Sequence, residues 1–192
     1  MDMEDAVKLL ESIHRTDPDF MRAEIYMLHG DLKFSNTHKE YNDALTFYKR
    51  ANQMMNDRPD SFIKLGICHE KLREFDEAEI CYKKALKKDK TAFLPLFRLG
   101  LVHIRNNNRE RGIKYLEQAY GAHPLHIEVL VKLGEAYLKD ENKIKESEEL
   151  FLKALEVDNN NGDAHVGLGR VYEKQEKTDL SIEQFKHALK VP

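Results

Sequence analysis

The residues whose spacing could do chemistry are cations in register. Lys64, Arg98 and Lys132 stand 34 residues apart, and Lys71, Arg105, Lys139 and Lys174 follow at 34, 34 and 35. Recurrent Lys and Arg at one interval present carboxylate-binding donors at one phase of a repeating element. No other constellation is as regular. The nine histidines include no His-x3-His pair, and His123 and His126 flank a turn at Pro124. Cys68 and Cys81 are the two thiols, too few for a disulfide framework or a four-ligand metal site, and read as small buried residues of a reducing compartment. Asp140-Glu141-Asn142-Lys143 and Asp158-Asn159-Asn160-Asn161-Gly162 begin like calcium loops but lack the acid such a loop needs at its far end. No glycine-rich phosphate loop or nucleophile elbow is present. Neither a catalytic site nor a cofactor or metal is therefore expected, and the chain reads as a binder and not an enzyme.

Composition narrows the partner. Of 192 residues, 41% are hydrophobic, enough for a continuous core, and 34 acidic against 31 basic residues give a net charge of −3. That balance lacks the basic excess that phosphate contacts require, so nucleic acid is not expected. The acidic start Met1-Asp2-Met3-Glu4-Asp5 does not read as a secretory signal, and the apolar runs are too short to span a bilayer. A cytoplasmic protein is expected, with the nucleus or a cilium as alternatives.

The elements that hold the cations recur with them. Leu65-Gly66, Leu99-Gly100, Leu133-Gly134 and Leu168-Gly169 fall at intervals of 34, 34 and 35, the odd residue being inserted near Asn142. Each pair is followed by a small residue, then a bulky one, then alanine: Ala78, Tyr82, Ala85; Gly112, Leu116, Ala119; Ser147, Phe151, Ala154; Ser181, Phe185, Ala188. Ala44, Tyr48, Ala51 and Ala6, Leu10, Ile13 extend the register upstream. Small residues at fixed phase let one helix approach another, and the bulky residue fills the space between them. The spacing predicts a lone helix at 2–16 and helix pairs at about 20–57, 59–89, 92–122, 126–158 and 162–190.

This pattern resembles the tetratricopeptide repeat family. Phe62, Leu65, Gly66 and His69 fill the helix A positions of its unit, Leu130, Leu133, Gly134 and Tyr137 fill them again, and Pro18 and Pro124 stand at its closing proline. The resemblance implies an all-α, right-handed superhelical solenoid of antiparallel helix pairs. It would be one array over 1–192, with a half repeat at 1–18 and repeats at about 19–58, 59–91, 92–125, 126–160 and 161–192. Phe185 and Leu189 at one end would need further repeats or a neighbouring subunit to cover them.

The resemblance also implies a concave groove lined by the A helices, taking a peptide or helix of a partner. With the glycine as position 8, position 6 reads Lys64, Arg98, Lys132 and Gly167, and position 13 reads Lys71, Arg105, Lys139 and Lys174, a basic ladder. Position 5 reads Ile63, Phe97, Val131 and Val166, an apolar track expected to anchor the ligand, and position 2 carries Asp60, Glu128 and Asp163 as an acidic edge. An acidic or amphipathic peptide is the expected partner. The carboxylate clamp that some family members use on chaperone tails is not assembled, because position 9 holds Ile67, Leu101, Glu135 and Arg170. The functional expectation is a scaffold or adaptor within a larger complex, the alternative being a docking region of a multidomain enzyme.

Overall fold

The computed structural model describes residues 18–35, 40–54 and 58–190. Among them are ten α-helices and no strand: α1 Pro18–Ser35, α2 Tyr41–Met54, α3 Pro59–Lys71, α4 Phe75–Lys88, α5 Phe93–Arg105, α6 Arg109–Ala122, α7 Ile127–Tyr137, α8 Ile144–Val157, α9 Gly162–Lys174 and α10 Thr178–Lys190. A short 3-10 turn, Glu141–Lys143, precedes α8 and takes up the inserted residue near Asn142. The lone first helix and its Ala6, Leu10 and Ile13 fall outside the described residues. Pro18 opens α1, where the missing N–H has no helical partner to lose.

The chain forms two compact units, Met1–Arg98 and Leu99–Pro192, divided within α5. In the first, α1 packs on α2 and α3 on α4; in the second, α7 packs on α8 and α9 on α10. Connections of a few residues make each pair antiparallel. Within a pair the helices touch through the small residues of the register. Ala44, Ala51, Ala78 and Ala85 in the first unit, and Ala119 and Ala154 in the second, are completely buried.

The bulky residue between them is seated against the glycine of helix A. A Cβ at Gly66 would stand 2.5 Å from the Tyr82 ring, and one at Gly169 would stand 2.6 Å from Phe185. Phe151 is enclosed from two sides, since a Cβ at Gly134 or at Gly167 would meet its ring at 2.9 and 2.2 Å. Ser147 adds a buried hydrogen bond, its hydroxyl donating to the Gly134 carbonyl at 2.8 Å. His69 and His103, at the helix A phase held elsewhere by tyrosine, are buried; His69 meets Glu74 at 2.6 Å and His103 stacks on Tyr115. Cys68 and Cys81 are free thiols inside the first core, and burial pushes them up to about 12 and about 11, so they are protonated at neutral pH.

Three turns between paired helices hold a non-glycine residue in the left-handed region: Arg73 (φ 62°), Asn107 (φ 58°) and Glu176 (φ 59°). That conformation costs a side chain about 1–2 kcal/mol. Replacing Arg73 by glycine relieves it at the expense of extra freedom in the unfolded chain, and is expected to raise stability by up to about 1 kcal/mol. Ala85→Leu overpacks a closed contact and is expected to lower stability by about 1–3 kcal/mol. Urea unfolding followed by far-ultraviolet circular dichroism should move the two midpoints in opposite directions.

Candidate peptide-docking groove

The position 6 cations are engaged within the fold. On α3, Lys64 binds the Asp31 carboxylate of α1, and the same carboxylate accepts the Tyr48 hydroxyl from α2 at 2.7 Å. The next repeat copies the arrangement: Glu70 on α3 accepts the Tyr82 hydroxyl from α4 at 2.6 Å, and the Arg98 guanidinium of α5 lies 3.7 Å from it. The chemistry is forced in steps. A tyrosine seated against a glycine buries its hydroxyl, which needs an acceptor. A carboxylate supplies one; Glu70 is itself only 7% exposed and is stabilised by a cation. Burial, followed by the hydrogen bond to the carboxylate, raises the pKa of both Tyr48 and Tyr82.

The second unit has no such triad at the corresponding places, because Leu116 and Phe151 carry no hydroxyl there. Lys132 instead pairs with Glu135 one turn along α7, at 3.0 Å. The last position of the column is Gly167, where the Phe151 ring leaves no room for a Cβ. Lys64, Arg98 and Lys132 thus contribute ion pairs to the fold before they meet any ligand.

The apolar track also differs from expectation. Phe97 is 2% exposed and Val131 is 3% exposed, so both belong to the core and cannot be principal ligand anchors. Phe97 stacks against Phe93 one turn earlier, with ring centres 5.9 Å apart. Ile63 and Val166 are half-buried. The period-34 reading placed position 5 on the groove side, but a branched or aromatic side chain there reaches back into the helix contact.

Position 13 remains on the surface. Lys71, Arg105, Lys139 and Lys174 are all exposed, Lys174 lying 4.0 Å from Glu141. In the second unit two of them open onto a groove of about 960 Å³ between α7 and α9, lined by Glu135, Leu138, Lys139, Val166, Gly167 and Arg170 among others. Lys139 and Arg170 are exposed and, among the described residues, carry no ion pair. Arg170 was not singled out as a binding residue; its place one turn from Lys174 on α9 was the available signal. A second hollow of about 660 Å³ adjoins it through Asp163 and includes Leu125, Glu128 and Lys132. In the first unit the corresponding hollow between α1 and α3 is only about 220 Å³, and its walls are crosslinked by Arg58–Glu24 at 2.9 Å and by Lys64–Asp31.

Among the described residues no cluster of three metal-binding side chains occurs, and no helix is long and apolar enough to cross a membrane.

Helix pairs locked by a glycine and a bulky residue, repeated every 34 or 35 residues, define a class of repeat protein. Profiles of the tetratricopeptide repeat match residues 59–92, 97–156 and 162–192, and the chain belongs to that family. Among curated relatives, it is 24% identical to a peroxisomal targeting signal receptor of Candida albicans over 94% of this chain and 38% of that protein. It is 27% identical to the human protein O-mannosyl-transferase TMTC3 over 71% of this chain and 15% of that protein. The chain therefore spans well under half the length of either relative. Among solved structures, residues 41 to the end of MamA from Desulfovibrio magneticus RS-1 superpose with a TM-score of 0.78 at 21% identity, covering 88% of this chain and 94% of that one. YrrB, described as a TPR protein with an unusual peptide-binding site, superposes with a TM-score of 0.71 at 19% identity, covering 100% of this chain and 92% of that one.

The triad makes a stability prediction. Glu70→Ala removes the acceptor of a completely buried hydroxyl and is expected to cost about 1–3 kcal/mol. Adding Tyr82→Phe removes the stranded hydroxyl as well, and the double variant should recover part of the loss. A double-mutant cycle by chemical denaturation measures it; strict additivity would mean that the two groups do not act together.

Proposed function

We propose that this chain is a protein-interaction module, a single array of about five and a half repeats that serves as scaffold or adaptor within a larger assembly. Its ligand is a peptide or helix of a partner protein, and the docking site is the groove between α7 and α9. One observation carries the reading: Lys139 and Arg170 stand exposed on a wide groove, while the position 6 cations are paired with the fold's own carboxylates. Exposed cations on a concave wall recognise carboxylates of an acidic or amphipathic segment, and half-buried Val166 beside nearly buried Leu138 offers it apolar contact. The peptide-binding site named for YrrB, on the same fold, supports the assignment of ligand class. Two free, buried thiols favour a reducing compartment, the cytoplasm first, with the nucleus or a cilium as alternatives.

A second reading is favoured by the similarity to a transferase over only 15% of that protein's length: the repeats would dock substrate for chemistry performed elsewhere in a longer polypeptide.

The test is affinity capture from cytosol with wild-type protein and the Lys139→Glu/Arg170→Glu/Lys174→Glu variant side by side, read by mass spectrometry. All three side chains are exposed, so helicity should be unchanged. Proteins captured by wild type alone are the expected result; an identical list from both would move the docking surface away from this groove.

A further inference from the structure

Resting on the groove reading above, we infer that the partner segment is itself dipolar, with carboxylates at one end and Lys or Arg at the other, and not uniformly acidic. The inference comes from how charge is arranged along α7 and α9. Each helix opens with an exposed acid, Glu128 or Asp163, and an exposed base follows eleven residues later, Lys174 as the last residue of α9 and Lys139 in the turn two residues past α7. In α9, where the whole stretch is helical, eleven residues separate the two charges by about 16 Å along the axis. Acid first and base last also complements the helix macrodipole, which accounts for the signs on each helix taken alone. The macrodipole does not require both acids and both bases to open onto one groove. Here they do, since Glu128 and Asp163 line the smaller hollow at the helix N-termini, while Lys139, Arg170 and Lys174 line the larger groove toward the C-termini, where Glu173 offsets one of the three cations and leaves the end net basic; Asp163 belongs to both.

The middle of the groove adds no net charge. Lys132 and Glu135 neutralise each other at 3.0 Å, Gly167 presents backbone alone, and Val166 and Leu138 supply apolar surface. A uniformly acidic segment would meet Lys139 and Arg170 favourably at one end and the Glu128–Asp163 pair unfavourably at the other. A segment with opposite charges at its ends meets both. The spacing of about 16 Å is that of five extended residues or of eleven helical ones, so the charge blocks sit at those separations, with aliphatic side chains between them. His126, beside Glu128, and Asn161, the N-cap that accepts from the Ala164 N–H at 2.9 Å, complete the lining of the acidic end.

The experiment is panning of a random dodecapeptide phage library on wild-type protein, on Glu128→Lys/Asp163→Lys and on Lys139→Glu/Arg170→Glu, each checked for helicity. Wild type is expected to enrich peptides with one acidic and one basic end. Synthetic copies of these should lose about tenfold in affinity for either variant by fluorescence anisotropy at low salt, with a smaller loss at high salt. Glu128→Lys/Asp163→Lys should enrich peptides that lack the basic end. Wild-type selection of uniformly acidic peptides that Lys139→Glu/Arg170→Glu no longer binds would overturn the dipolar inference and leave the groove reading standing. Peptides indifferent to both variants, or no enrichment at all, would remove the groove as a docking site and the inference with it.

Discussion

The contact on which the rest depends is a bulky side chain of one helix pressed against the bare backbone of its neighbour. At Gly66 and Tyr82, and again at Gly134 and Phe151, the ring occupies the space a Cβ would fill. Two helices held that closely bury their facing alanines completely, and the short connections leave the chain no other pairing. The constraint is local, which is why it can recur along the sequence while the connections between helices vary by a residue or two.

The identity of the bulky residue then sets the electrostatics. Where it is tyrosine, its hydroxyl is carried into the core and a carboxylate has to follow it, Asp31 for Tyr48 and Glu70 for Tyr82. A cation from the following A helix completes the set. Where it is leucine or phenylalanine, no acid is recruited and Lys132 settles on its own helix. A packing choice thus decides which surface charges have an internal partner and which face outward.

The fold was legible from the sequence because its determinants are periodic: small residue, bulky residue and alanine keep their intervals through every described pair, and a glycine precedes each set. The docking residues were legible only in part. The basic columns were visible as columns, but which of them faces solvent depends on Asp31 and Glu70, whose positions relative to their glycines differ and so follow no common register. Phe97 and Val131 show the same limit, since their phase matched the groove while their bulk drew them into the core. Arg170 was placed at position 9 but not read as a binding residue, because Ile67, Leu101 and Glu135 hold that position in the other repeats. Periodicity reports what is common to the repeats, whereas recognition depends on what distinguishes them.

Gly167 joins these two levels. It interrupts the basic column and leaves the floor of the wide groove without a side chain, and the reason lies beneath it, in the ring of Phe151. A lysine or arginine could not be installed there by one substitution; the aromatic residue behind it would first have to shrink. The route by which this protein could acquire a new ligand preference is therefore ordered, with a silent change in the interior preceding any visible change at the surface.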